Sequence, residues 1–434
     1  MARWLCVKLI ITMSAHMTRS ELARYSTADL GPVHVASSRS ALRVSLQQPA
    51  LPKYRVPVFR ELARRPGISI KVVYGDLPGL SNVDPDGFEA TYARPRRWHL
   101  LGETMIWQPA QWQSATRAEA DVLILPWDVH YASLMPALLR ARRHGVPTIL
   151  WGHGYSKHER PWRKMARDGV ARLATALLFY NHRAAGAQIA HGFPAERIFV
   201  APNAIDQRPV QEARGWWLAN PHRLEEFRQQ AGLTRGPVVL FVSRLDPDNR
   251  VDLLIRAAAR LVRDFEHLRV IIVGSGPDGQ RLKELSASLG LKHSVLFPGA
   301  IYDEQALAPW FLCADVFCYP ANIGLSLLHA FGYGLPVVTS DRIDAQNPEI
   351  EAMADGQNGL FYSHGDEDSL CRKLRMLFED RCLRLRLSTE ALRTATHRYT
   401  LEKMVDGMEA AIRYAAATVR RWDRCAGSSA RHRR

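Results

Sequence analysis

From Leu42 onward, short apolar runs alternate with stretches in which apolar residues recur every three or four positions. "LRVSL", starting at Leu42, is a leucine and β-branched run, and the loop "QQPALPKYR" follows it. "VPVFRELARR" has helical spacing and stops at Pro66-Gly67. "ISIKVVYGD" reads as the next strand, closed by Gly75-Asp76. "ADVLILPW", "VPTILWGHG", "ALLFYN" and "IFVAPN" repeat the strand pattern, with the helix "SLMPALLRARRHG" ended by Gly145. Strands alternating with helices predict parallel βαβ units.

The alternation pauses between Ile205 and Gly236, a polar, arginine-rich stretch. It resumes with "PVVLFVS", "DLLIRAAARLVRD", "LRVIIVGSGP", "SVLFPG", "DVFCYP" and "LPVVTS". The expected fold is α/β, with two Rossmann-like, doubly wound parallel-sheet domains facing a cleft. Residues 41–206 form the first domain, 207–235 a linker and 236–400 the second. A helix over 401–421 returns to the first domain, and 422–434 is a disordered basic tail. Residues 1–40 lack the pattern and read as a poorly ordered leader, with Met13 and Met17 as alternative starts. In such sheets ligands bind outside the carboxyl ends of the strands, so the chemistry is expected in loops that follow strands, drawn from both domains.

Composition narrows the class. The chain has 434 residues, 47% of them hydrophobic, enough for large cores without a metal or disulfide. Six scattered cysteines include no Cys-x-x-Cys pair, which fits a reducing compartment and a cytoplasmic protein. No apolar run reaches the ~18 residues of a membrane span. The formal net charge of +15 fits nucleic acid, an anionic membrane or a phosphorylated substrate. With no nucleic-acid-binding motif, the first of these is set aside. "RARRHG" (140–145) and "HERPWRKMARDGVARL" (158–173) place cations beside Trp162 and Met165. This suits peripheral docking on the inner face of a membrane, and equally a solvated helix face.

Four segments carry candidate chemistry. In "VIIVGSGPDG", Gly274, Gly276 and Gly279 match G-x-G-x-x-G, which would admit an NAD(P)-dependent oxidoreductase. That reading needs an acidic residue about 20 positions on, at a strand end. "SVLFPGAIYD" supplies none there. In "YPANIGLSLLHAFGYG", the loop from Asn322 through Gly324, Leu325 and Ser326 leads into a helix, and its backbone N–H groups suit a diphosphate. Ser326 could instead cap that helix. His329 lies one turn further on, as a ligand contact or a semi-buried core histidine. In "FVSRLDPDNRVDLLI", Arg244 directly follows a strand, where its guanidinium could meet a diphosphate or pair with Asp246 or Asp248. Asp84-Pro85-Asp86 and Asp246-Pro247-Asp248 have the spacing of metal-binding aspartates and read as turns, so no metal is expected. His153, between Gly152 and Gly154 after a strand, can hydrogen-bond a sugar or acceptor hydroxyl.

These residues, with "APNAID" and "PEIEAMADGQNGLF", resemble the retaining glycosyltransferases of family 4 (glycosyl transferases group 1), of GT-B fold, over roughly residues 42–415. The resemblance implies a nucleotide-diphospho-sugar donor held mainly by the second domain, with no tightly bound cofactor. It also implies a glycan or lipid-linked acceptor, as in cell-surface polysaccharide or glycolipid synthesis. Arg244 matches the arginine on the donor diphosphate, Gly276 a backbone position near the donor, and Glu349 the acidic residue before the Asn358-Gly359 turn. His153 matches a first-domain histidine near the transferred sugar. The family's glutamate pair falls here on Ala321 and His329, so the chain is similar to the branch with a "GLS…HA" segment. The family's lysine falls on Asn249, with Arg250 beside it. The departures favour, as a rival, a catalytically weak sugar-nucleotide-binding or partner protein of the same fold.

Overall fold

A computed structural model describes residues 41–100, 103–154 and 161–431. The expected leader, residues 1–40, lies outside the described residues, as does the start of the 158–173 basic segment. In chain order the strands are β1 (Leu42–Gln48), β2 (Ile68–Tyr74), β3 (Glu89–Tyr92), β4 (Arg96–Leu100), β5 (Glu103–Trp107), β6 (Val122–Pro126), β7 (Thr148–Gly152) and β8 (Ala176–Phe179). They continue with β9 (Ile198–Val200), β10 (Val238–Val242), β11 (Arg269–Val273), β12 (Val295–Gly299), β13 (Val316–Tyr319), β14 (Val337–Ser340) and β15 (Gly359–Tyr362).

Two parallel sheets result. The first runs β3-β2-β1-β6-β7-β8-β9 and the second β12-β11-β10-β13-β14-β15. A small antiparallel hairpin, β4-β5, was not anticipated from the sequence, nor was β3. β6, β7 and β8 are buried along their whole length, as are β13 and β14. Burial on both faces is why they read as continuous apolar runs rather than alternating ones. Helices cover the faces. Val251–Leu261, for example, buries Val251, Leu254, Ile255, Ala258 and Leu261 on the second sheet.

In each sheet the strand order reverses beside the first strand of its unit. β1 pairs with both β2 and β6, and β10 with both β11 and β13. A crevice opens where the winding switches direction, at the carboxyl ends of those strands. Arg244 follows β10 and the Asn322–Ser326 segment follows β13, so both flank the second sheet's switch point.

Two expectations are corrected. The stretch 207–235 is no plain linker: it folds into helices Arg208–Ala219 and Pro221–Gln230, each with proline in its first turn. Val210, Ala213 and Leu233 join the core of the second sheet, and the Trp217 indole N–H donates to the Gln305 carbonyl at 2.9 Å. Few apolar positions are enough here because the helices bury a narrow stripe. The last helix runs Leu401–Arg431, well past residue 421 and through most of the expected tail. Leu401, Met404, Val405, Met408, Ile412 and Ala415 pack into the core of the first sheet. Arg65 bonds Asp406 at 2.8 Å, fixing this helix against the first domain.

Candidate active site

The carboxyl-end loops of the two sheets meet. Arg244 donates through Nη1 to the Gly79 carbonyl, in the loop after β2, at 3.2 Å, and its Nε lies 3.2 Å from Asp246. Its side chain remains about half exposed (53%), so it can still reach a ligand. On the other flank, Glu351 of the second domain accepts from the His182 and Arg183 backbone N–H groups at 2.9 and 2.8 Å. These begin the helix His182–Ala190, so a carboxylate from one domain meets the positive end of a helix in the other. Glu349 is buried and accepts from Asn203, whose own oxygen accepts from Arg55 at 3.3 Å. Arg55 is itself sandwiched against Trp151 and Tyr180, its guanidinium carbon 4.8 and 5.0 Å from their rings. Glu349, the expected donor contact, thus also forms an interdomain strut.

Asn249 is buried and also has a different job from the lysine it replaces. Its Nδ2 donates to the Arg244 carbonyl at 2.7 Å and its Oδ1 accepts from Asn322 at 3.2 Å. It stitches the β10 loop to the β13 loop and so positions Arg244. Arg250 follows Asn249 directly. It adopts the left-handed backbone conformation (φ 52°), and its guanidinium is taken by Asp252 at 3.1 Å. Burial pushes the Tyr319 hydroxyl up to about 12, so it stays protonated and donates to Ser243, next to Arg244.

The Asn322–Ser326 segment is held from behind. Asn322 is left-handed (φ 62°), and Asn347 donates to its carbonyl at 2.9 Å. The Ile323 N–H donates to Gln346 at 2.7 Å. The helix spans Ser326–Gly332 with Leu325 in the capping position and no side chain capping it. Ser326 therefore does not cap the helix, and Gly324, Leu325 and Ser326 form an uncapped turn beside Arg244's loop.

His329 is mostly buried. Its ring lies 4.7 Å from Phe311, and its Nε2 is 2.8 Å from Glu304 Oε1, which also accepts from Tyr333 at 2.5 Å. Burial pushes the Glu304 carboxyl up, but the hydrogen bond and charge of His329 outweigh this. With help from Tyr333 and from Lys53 of the first domain, they leave it below the usual carboxylate range. An ionised Glu304 only accepts, so His329 Nε2 carries the hydrogen. Glu304, a residue no motif marked, thus places a carboxylate beside position 329. Glu304→Gln should destabilise the protein by about 1 kcal/mol near neutral pH. The charge contributes fully above the unfolded value near 4.5 and is lost as pH falls through the lower folded value. Thermal midpoints of variant and wild type should therefore converge in acid; a gap constant with pH would contradict the pairing.

His153 follows β7, is exposed, and its ring lies 4.8 Å from Tyr180. Its flanking glycines serve packing. A Cβ on Gly152 would meet Trp127 Cβ at 2.9 Å, and one on Gly154 (φ 73°) would meet the Phe179 ring at 2.5 Å. Gly276 likewise lies on the Leu245 backbone, where a Cβ would meet the carbonyl oxygen at 2.4 Å. Asp86 pairs with Arg60 and Asp246 with Arg244. Among the described residues no group of three His, Cys, Asp or Glu side chains could hold a metal, and no helix is long and apolar enough to cross a membrane.

Comparison with known proteins places this geometry. Residues 56–208 match the model of glycosyltransferase family 4, and residues 223–394 that of glycosyl transferases group 1. The D-inositol 3-phosphate glycosyltransferase of Salinispora arenicola is 35% identical over 444 residues, covering 93% of this chain and 91% of that one. The chain belongs to the group 1 glycosyltransferases. An exopolysaccharide phosphotransferase of Streptomyces coelicolor is 31% identical over 222 residues, 50% of this glycosyltransferase, which spans only 21% of that longer protein. The crystal structure of Anabaena HepE in complex with UDP superposes with a TM-score of 0.64 at 18% identity, covering 85% of this glycosyltransferase and 98% of HepE. The fold is GT-B.

Proposed function

We propose that this glycosyltransferase moves a sugar from a nucleotide-diphospho-sugar to a glycan or lipid-linked acceptor hydroxyl, with retention at the anomeric carbon. The observation that carries the reading is Arg244: rooted at the switch point of the second sheet, it reaches Gly79 of the first, with its guanidinium half exposed where the two carboxyl edges meet. As the bond from the anomeric carbon to the phosphate oxygen breaks, charge grows on the diphosphate. Arg244 and the uncapped turn at 324–326 would stabilise that charge. The acceptor oxygen bonds to the anomeric carbon on the face the diphosphate leaves, and its proton passes to the departing phosphate oxygen. The Glu304–His329 pair would meet the nucleoside, and His153 would orient the sugar from the first domain. Synthesis of a surface polysaccharide or glycolipid is the fitting role, and a relative named as a phosphatidylinositol monomannoside mannosyltransferase, 28% identical over 256 residues, supports it.

The test is a thermal-shift screen of UDP-, GDP- and dTDP-sugars, followed by hydrolysis and transfer assays on each one that stabilises the protein. Stabilisation by at least one donor together with turnover is expected; no response to any of them overturns the reading. Binding without turnover would favour the second reading, a sugar-nucleotide-binding protein of weak activity. Arg250's engagement by Asp252, which leaves the diphosphate site short of a cation, argues for it.

A further inference from the structure

We propose a second, phosphate-binding site on the first domain, in a cavity at the edge of the sheet opposite the cleft. The cavity, of about 330 Å³, opens where β7, β8 and β9 begin and is closed on one side by the last helix. Three arginines from separate elements line it: Arg142 at the end of one helix, Arg172 at the end of another, and Arg197 just before β9. Among the described residues no carboxylate lines it. Neither Arg142 nor Arg172 has a carboxylate partner there, and Arg197 donates to the carbonyl oxygens of Thr175 (3.0 Å) and Ala174.

Cations gathered around a concave wall without counter-charge repel one another, and a bound anion relieves that repulsion. Guanidinium groups recognise phosphate oxygens through paired N–H donors. Thr175, Tyr414 and Thr418 add hydroxyls to the same wall. The volume exceeds what a bare phosphate fills and falls at the low end of organic-ligand pockets, roughly 300–1,000 Å³. A phosphate ester therefore fits: a phosphate group facing the arginines, with a small organic body over the apolar wall. Strands rise about 3.3 Å per residue, so strands of three to five residues separate this site from the cleft. The ligand would touch no residue of the proposed active site, and it would tie the last helix to the sheet edge it covers.

The ester could be soluble or a lipid headgroup, and one experiment separates the two. The full chain is studied at low ionic strength, where exposed charges are least screened. Glycerol phosphate binding is followed by thermal shift, and co-sedimentation is measured with vesicles of phosphatidylglycerol in phosphatidylcholine. The proteins are wild type, Arg142→Ala/Arg172→Ala and Arg244→Ala. Both cavity arginines are exposed, so the double variant is expected to fold. At least one probe should bind wild type and Arg244→Ala alike, and bind the double variant about tenfold more weakly or worse. Sugar transfer by the double variant should stay within about twofold of wild type. A glycerol phosphate response without vesicle binding assigns a soluble ester; vesicle binding without that response assigns a lipid headgroup. Equal binding by wild type and the double variant, or no binding of either probe, overturns the site. A response lost only in Arg244→Ala would belong to the cleft and would also overturn it, leaving the proposed active site intact.

Discussion

Arg244→Ala should lower the rate of sugar transfer by about 100-fold or more, a loss of roughly 3 kcal/mol of transition-state stabilisation. The effect is expected in kcat as well as in kcat/KM, because the charge this guanidinium meets grows only as the glycosidic bond breaks. The fold should not suffer. The side chain is half exposed, and its protein contacts are a carbonyl at 3.2 Å and one surface carboxylate. An exposed ion pair of that kind is worth less than about 1 kcal/mol. Steady-state kinetics with a donor found by the screen, beside a thermal midpoint for the variant, separates the two effects. Activity within twofold of wild type would remove Arg244 from the reaction. Normal chemistry with a raised KM would make it a binding residue only.

How much of this site could be read from the chain depends on which residues share a local pattern. Arg244 and the loop around Gly324 were legible because each directly follows a buried apolar run, and parallel sheets place ligands at that end. Glu304 was not legible. It opens a helix after β12, and only packing brings it to His329, twenty-five residues later, and to Lys53 of the other domain. Glu351 belongs to the same class, since its partners at 182–183 are set by how the two domains face each other, and so does Asn347, whose partner at 322 lies on a neighbouring loop of the second domain. The helices over 208–230 were hidden for a different reason. They bury narrow stripes against a neighbouring helix, so their apolar spacing is sparse although their proline-led starts are regular. At 249 and 250 the sequence shows the exchange of a lysine position for an amide beside an arginine, but not the direction of either side chain. The buried amide at 249 faces backbone and Asn322, and the left-handed turn at 250 aims its arginine at Asp252.

The glycines give the sharpest contrast between a motif and its cause, and they set the second large effect. Gly276 sits in a segment that looks made for close approach of a phosphate. In the folded chain its α-carbon instead lies against the peptide of Leu245, whose carbonyl oxygen would be 2.4 Å and whose nitrogen 2.7 Å from an added methyl. The same strip is cross-bonded, with the Leu245 N–H donating to Ser275 and the Asp278 N–H to the Leu245 carbonyl, both at 3.0 Å. Backbone, unlike a flexible side chain, cannot swing aside, so Gly276→Ala must push the 243–246 segment away from β11. The expected cost lies at the upper end of overpacking, about 3 kcal/mol. It should appear in the ligand-free protein as a lowered thermal midpoint and a lower denaturant midpoint. Because Arg244 rides on that segment, transfer should fall as well, even at temperatures where the variant is fully folded. If glycine were required only for donor approach, the ligand-free variant would be as stable as wild type and the loss would be confined to donor affinity. Unfolding curves without nucleotide, set beside the donor KM, therefore tell which of the two surfaces demands a residue without a side chain.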